Sequence, residues 1–259
     1  MITTWSSGQA DTWMEESLLL QLREKVRRHP WWRARATLVL GLLRRMGIQP
    51  GAKIMDVGCG WGTTLASLEK AGYAVTGLDV SKAALDQLDR PNRLLIEADL
   101  TQPFPEDAPR HDAVLATDVI EHLDDDVAAI RQFAQLSRDG GKVIVSVPAD
   151  PRLFSDFDRV QGHRRRYTPE TLRAAFSGAG LSADEVLWWG GSLTWLVRFQ
   201  RQRRPLPAGV SNLQAYSGYL DLPPWPFPLF LTQLLKWESR RTLAGKAKAG
   251  TSLFAIAAQ

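Results

Sequence analysis

Glycines 58, 60 and 62 stand in the stretch DVGCGWG, directly behind the short apolar run AKIM. A backbone stripped of side chains at alternate positions lets a ligand approach a strand-to-helix turn closely. Dinucleotide-binding turns use the spacing G-x-G-x-x-G because a pyrophosphate rests on the helix that follows. Here the spacing is G-x-G-x-G and Asp56 precedes it. An acid at that position repels a pyrophosphate and suits an ammonium or a sulfonium. Asp79 lies about 20 residues further on, placed to accept hydrogen bonds from two ribose hydroxyls. Asp99 ends the stretch IEAD, where a carboxylate can accept from an adenine amino group. Each acid alone reads equally well as a turn residue or a helix cap. In this order on successive strands they point to a cationic nucleoside ligand and away from a nicotinamide dinucleotide.

A second set lies downstream. Asp118, Glu121 and His122 are spaced i, i+3, i+4 and would share one face of a helix. With His163 they offer oxygen and nitrogen ligands to a divalent cation. Without a cation, His163 or His122 is a candidate general base, since an imidazole titrates near pH 6.5. In GHRRRYT (162–168) an extended backbone would turn His163, Arg165 and Tyr167 inward and leave Arg164 and Arg166 in solvent. Glu121 and Tyr167 complete the candidate catalytic set.

The elements that must position these residues alternate from residue 52 onward. AKIMDV, YAVTGLDV, RLLIEADL, DAVLAT and GKVIVSVP read as strands, separated by the helical segments TTLASLEKAG, SKAALDQLDR and DDVAAIRQFAQLSRDGG. Such alternation means right-handed crossovers and a parallel sheet covered on both faces. Residues 11–47 read as two helices broken at His29-Pro30. Thr168 is a candidate N-cap with Pro169 behind it, LSADEVLWW reads as a strand, and SLFAIAAQ closes the chain as another. The expected organisation is a helical region over 1–50, a core over 51–189, an insert over 190–250 and a final core strand over 251–259.

The stretches DVGCGWG, GLDVS, EADL, DAVLATDVIEHL and GGKVIVSVP resemble the successive motifs of the class I S-adenosylmethionine-dependent methyltransferases, of the small-molecule type similar to methyltransferase types 11 and 12. The resemblance covers residues 52–181. It implies an α/β, Rossmann-like seven-stranded sheet whose last strand is antiparallel, with S-adenosyl-L-methionine held by Asp56, Gly58, Cys59, Gly60, Trp61, Gly62, Asp79, Val80, Asp99, Leu100 and Thr117. Cys59 is then a small turn residue, with Trp61 and Gly62 beside the methionine moiety. HPWWRARATLVL resembles the lid helix of such enzymes, so that Trp32 and Arg35 would cover the cofactor and meet its carboxylate; ordinary helix packing with a solvated guanidinium is the alternative. DVIEH resembles the acid-x-x-Glu-His motif of ubiquinone-pathway O-methyltransferases and small-RNA 2'-O-methyltransferases, in which a metal holds the acceptor oxygens. Asp118 stands where those families have glutamate.

The implied reaction is O-methylation of a small or amphiphilic metabolite: a phenol, a sugar or a lipid-linked intermediate. An RNA methyltransferase is the alternative within the class, and a non-catalytic protein that kept the fold is the alternative outside it. Lys and Arg outnumber Asp and Glu by 32 to 28 and gather at Arg27–Arg45 and Arg198–Arg204. The basic residues are interleaved with apolar ones and form no long stripe, which disfavours nucleic acid. A single cysteine excludes an internal disulfide, and no run approaches the ~20 apolar residues of a membrane span, so a cytoplasmic location is expected. PFPLFLTQLLKWESRR (226–241) combines Phe230, Leu234 and Trp237 with terminal basic residues, the composition of an in-plane interfacial helix that makes peripheral membrane contact; the alternative is that this face packs over the acceptor pocket or on another subunit.

Overall fold

Alternation along the strands decides which side chains reach which layer. In β2 (Lys53–Val57) Met55 and Val57 join one apolar cluster and Ile54 the other. β6 (Ser137–Pro148) sends Val143, Val145 and Val147 to the first and Ile144 to the second. Both faces are therefore covered, as a parallel sheet requires. The computed structural model describes residues 2–7, 15–91, 93–194 and 210–259.

The remaining strands are β1 (Ile2–Thr4), β3 (Ala74–Asp79), β4 (Leu94–Glu97), β5 (His111–Thr117), β7 (Ala183–Trp189) and β8 (Ser252–Ala258). The sheet order is β1-β4-β3-β2-β5-β6-β8-β7. β1 to β6 run parallel to one another, and β8 is antiparallel to both β6 and β7. The antiparallel final strand agrees with the sequence reading, whereas the strand count rises from seven to eight. The added strand is β1, where helical structure was expected. Three residues are too few for periodicity to register, and their order comes from pairing with Leu95, Ile96 and Glu97.

One face of the sheet carries α6 (Asp126–Leu136) and α8 (Pro169–Gly178), whose Ile130, Phe133, Leu172 and Phe176 are buried. Thr168 caps α8 as its sequence predicts, accepting the Thr171 amide. The other face carries α3 (Pro30–Arg45), α4 (Thr63–Lys70), α5 (Lys82–Leu88) and α10 (Phe227–Leu243). α10 packs on α3 through Leu231 and Leu235, which share a cluster with Leu38 and Leu42. A Cβ at Gly41 would lie 2.6 Å from Leu243 Cδ1, so glycine sets how near the two helices come. Each fully buried leucine here contributes ~1.5–3 kcal/mol of transfer free energy.

A third, smaller cluster sits over the carboxyl ends of the strands, formed by α1 (Glu16–Gln21), α2 (Arg23–Arg28), α7 (Asp156–Val160) and α9 (Asn212–Tyr219) around Leu18, Val26, Val160 and Tyr216. The expected pair of N-terminal helices is thus three, because the chain bends at Leu22 as well as at His29. The end of the segment read as a helix over 125–141 belongs to β6 from Ser137 onward, where Ser137 pairs with His111. The second basic cluster, Arg198–Arg204, lies outside the described residues.

His29 ties this roof to the core. Its Nδ1 accepts the Trp31 amide and so caps α3, while burial, with the Lys25 charge, pushes the imidazole down to about 4. Proton uptake must break that cap. The unfolded chain takes up the proton near pH 6.5 and the folded chain near 4, so the contribution of His29 to stability is complete above about 6.5 and is lost as pH falls towards 4. His29→Asn keeps a capping oxygen and removes the titration. Its melting temperature should therefore fall less than that of the wild type between about pH 7 and about pH 4.5; parallel losses would exclude His29 as the source.

Candidate active site

β2 delivers its chain into the glycine turn with Asp56 already inside, only 1% exposed. Gly58 takes φ 64°, and a Cβ there would stand 2.5 Å from Val119 Cγ2. Glycine therefore holds this turn open in the left-handed region where side chains are strained. Asp79 braces it from β3: one carboxylate oxygen accepts the Gly60 amide at 2.8 Å and the other the Ser81 amide at 3.0 Å. Above the turn is a cavity of about 730 Å³, of a size for a cofactor with a small acceptor. Asp56, Gly58, Cys59, Gly60, Trp61, Asp79, Val80, Leu100 and Thr117 all line it, as do Trp32 and Arg35 from α3.

The structure leaves two members of the expected cofactor set off that wall. Gly62 is the left-handed N-cap of α4 and is buried beneath the turn. Asp99 spends one oxygen on the backbone amide and the hydroxyl of Thr101, so the turn-residue alternative describes the contacts that its carboxylate makes. Cys59 is buried and its thiol is pushed well up, first by burial and then by the charges of Asp79 and Asp56. Such a thiol is no nucleophile.

Asp56 has the more consequential environment. Burial pushes its carboxyl up to about 7, with Asp79 adding to the rise while Arg35 and the Leu65 amide oppose it. No side chain hydrogen-bonds either of its oxygens, and the Leu65 amide approaches them without closing a well-formed bond. A buried, unanswered carboxylate facing a cavity is a receptor for a cation. Arg35 does not fill that place, because its guanidinium pairs with Asp118.

That pair overturns one expectation. Asp118 does not share a helix face with Glu121 and His122: it ends β5 with φ 57° in the left-handed region, and only Ile120–His122 form a short 3-10 turn. The Asp118 carboxylate faces Arg35 on one side and accepts the Ser146 hydroxyl at 3.1 Å on the other. It is not a member of the ligand set. Glu121, His122 and His163 do converge, with one ligand atom from each lying within 4.8 Å of the others. Glu121 is fully buried, has no hydrogen-bond partner on either oxygen, and is pushed well up by burial and by the nearby Asp118 charge. His122 and His163 line the cavity, their rings edge to face at 4.9 Å.

The residue that sequence reasoning missed is Asp158. Fully buried in α7, it accepts the Ser155 amide at 2.9 Å and the Arg166 Nε at 2.8 Å, and lies 3.0 Å from His163 Nδ1. A carboxylate can only accept, so Nδ1 carries the proton and Nε2 presents its lone pair, 3.8 Å from Glu121 Oε1. The signal was present in SDFD, a capping-box pattern that marks a helix start at Asp156 and puts the acid Asp158 five residues before His163.

The same network corrects the expected alternation. Arg166 is buried against Asp158, while Tyr167 points away from the cavity and donates to Asp126 at 2.7 Å. The segment does not run as a flat strand, because the Arg164 amide turns to the Glu121 carbonyl and Tyr167 bridges to Ala149. Tyr167 is a strut between segments rather than a catalytic group, its phenol pushed up by burial and by Asp126.

The roof is aromatic. Trp61 lies parallel to Tyr216 of α9 at 6.2 Å and edge-on to Trp32 at 6.1 Å, with Phe157 beside Tyr216 at 5.7 Å. Tyr216 is fully buried and its hydroxyl has no partner.

Residues 31–186, more than half of the chain, match the family model of the methyltransferase domain. A ubiquinone biosynthesis O-methyltransferase from Alkalilimnicola ehrlichii is 37% identical over 108 residues, covering 39% of this chain and 43% of that protein. The chain spans about half the length of the curated relatives it matches. Among solved structures, the complex between the Haloferax volcanii Trm112 methyltransferase activator and a methyltransferase contains a similar chain, with a TM-score of 0.61 at 17% identity, covering 97% of this chain and 99% of that one. The Burkholderia thailandensis 1,6-didemethyltoxoflavin-N1-methyltransferase, solved with its acceptor and S-adenosylhomocysteine, reaches 0.51 at 16% identity over 88% and 78%. At such identities the likeness is one of fold. The family match spans β2 to β6, the glycine turn and much of the cavity wall, and the chain belongs to the class I S-adenosylmethionine-dependent methyltransferases.

Proposed function

We propose that this chain transfers the methyl group of S-adenosylmethionine to a hydroxyl of a small or amphiphilic acceptor. The reading is carried by the His163–Asp158 pair, an oriented imidazole in the wall of the cavity that the glycine turn opens into. S-adenosylmethionine supplies an electrophilic methyl on a sulfonium. Asp56 answers the ammonium of its methionine end, and Asp79, already fixed by backbone amides, offers its carboxylate to the ribose hydroxyls. On the opposite side His163 Nε2 takes the acceptor proton as the O–H bond breaks, the new O–CH3 bond forms and the S–CH3 bond is lost. Asp158 stabilises the resulting imidazolium. The rings of Trp61, Tyr216 and Phe157 favour a flat, largely apolar acceptor over a sugar.

One observation favours a second reading of the same centre. Glu121, His122 and His163 converge on donor chemistry suited to a divalent cation, and the Glu121 oxygens are buried without partners. A cation held there would act as a Lewis acid toward the acceptor oxygen. We favour the direct-base reading, because the Asp158 contact orients His163 with no cation needed.

Labelled S-adenosylmethionine offered to a panel of phenolic and prenylated phenolic acceptors should yield a labelled O-methyl product. His163→Ala should lower turnover by about 100- to 10,000-fold with cofactor affinity kept. In Asp158→Asn the imidazole loses its anionic support and becomes less basic, so the acid limb of the kcat profile should move to lower pH. Turnover should survive a chelator. Complete loss restored by Mg2+ or Mn2+ would install the cation reading, and full activity in His163→Ala and His122→Ala would remove both.

Cofactor binding has its own pH signature. An ammonium ligand selects the ionised form of Asp56, which is scarce below about 7 in the empty site. The affinity for S-adenosylhomocysteine should therefore rise with pH, by up to about 10-fold per unit below that value, and level off above it. Asp56→Asn should bind weakly with no such slope. Calorimetry across that range decides the matter, and a flat wild-type profile would remove Asp56 from the role.

A further inference from the structure

Six large apolar side chains are exposed among the described residues, and four of them, Trp225, Leu229, Phe230 and Trp237, fall on α10 or just before it. Their clustering is not a consequence of packing. The helix already buries its other face, through Leu231, Leu235, Ser239 and Thr242. Successive residues advance about 100° around a helix, which sets Phe230 and Trp237 on one exposed line, with Leu229 and the basic Lys236 and Arg240 beside it. Arg241 lies over the Trp237 ring at 4.9 Å. α10 itself adds no acid to this face: its one acid, Glu238, is buried and accepts the Ser192 amide.

We propose that this face of α10 docks the protein on an anionic lipid surface. An apolar line bounded by tryptophans, whose charged neighbours on the helix are the cations Lys236, Arg240 and Arg241, matches the interface between lipid headgroups and acyl chains. A protein partner of ordinary surface composition would meet a cationic rim on a helix with no exposed acid to pair its own basic residues. The geometry also joins the face to the cavity. Phe227 and Leu231, on the same helix as Phe230, line the cavity, as do Leu222 and Pro223 just ahead of it. An acceptor with an apolar tail would pass from the lipid between these residues, a delivery route that rests on the amphiphilic-acceptor reading above. The docking itself does not.

The test is co-sedimentation of the full chain, without cofactor, with vesicles of phosphatidylcholine alone and of phosphatidylcholine with phosphatidylglycerol. Binding to the anionic vesicles, weakened by salt, is expected. Phe230→Ser with Trp237→Ser should reduce it about ten-fold or more. Lys236→Glu with Arg240→Glu should reduce it about 20-fold or more and abolish the preference for anionic lipid. All four side chains are exposed, so melting temperatures should stay unchanged, and a variant that melts early is replaced by Trp225→Ser, which is 78% exposed. Failure to pellet, equal binding to both vesicles, or variants that pellet like the wild type would overturn the proposal. So would a dimer in light scattering that the Phe230→Ser, Trp237→Ser variant dissociates, since the face would then be a contact between two copies. Vesicle binding without labelled product would reject the acceptor reading and leave the docking in place; product without vesicle binding would do the reverse.

Discussion

Carboxylates withdrawn from water must be answered, and those around this cavity are answered unequally. Asp158 has the Arg166 guanidinium and the Ser155 amide, Asp118 has Arg35, and Asp79 has two backbone amides. Asp56 and Glu121 have no side chain hydrogen-bonded to either oxygen. The satisfied acids form the frame, holding the glycine turn, α3 or an imidazole in place. The two unsatisfied acids are Asp56, beside the glycine turn on the cavity wall, and Glu121, next to His122 and His163, and they are the groups to which the proposed function gives a ligand. Both carboxyls are pushed up by burial, which is what a binding group looks like before its ligand arrives.

Closure of the site depends on parts of the chain that are distant in sequence. Trp61 belongs to the glycine turn, yet its ring stacks on Tyr216 of α9 and its Nε1 donates to the Leu18 carbonyl of α1 at 3.4 Å. Lys25 of α2 donates to Ser217 and pairs with Asp221. The roof is therefore one apolar cluster assembled from residues 18–32, 157–160 and 213–220. It meets the layers below through polar contacts such as the Ser81 hydroxyl, at the head of α5, donating to Glu16 of α1 at 2.6 Å. Opening it would cost far less than disturbing the layers below, where each of the two large clusters spans most of the strands.

Local pattern sufficed where a residue's surroundings follow from its own neighbours. The strands from 53 to 148 are short β-type runs buried on both faces, the turn needs glycine wherever φ is positive, and Thr168-Pro169 announces a helix start; all of these are legible one segment at a time. The positions of Asp56 and Asp79 beside one cavity follow from the order of crossovers in a parallel sheet, whereas Trp32 and Arg35 were expected there only through the resemblance of HPWWRARATLVL to a lid helix. Spacing arguments failed where the backbone left regular structure. Asp118 takes a left-handed conformation, so the i, i+3, i+4 rule has no helix to act on. The 163–167 segment is bent by hydrogen bonds to Glu121 and Ala149, so alternation does not tell inward from outward.

What tertiary structure alone decided was which charges meet. Arg35 could have faced solvent, a ligand or an acid, and only the approach of α3 to the end of β5 brings Asp118 to it. Asp158 was an unremarked acid in a loop until folding buried it against His163 and Arg166. β1 was invisible because three residues carry no period and gain order only by pairing with a strand more than 90 residues away. Sequence determines propensity and periodicity, which are properties of neighbours along the chain. Electrostatic partnership, and with it the choice between a structural and a reactive side chain, depends on distance and burial, which exist only after the chain has folded.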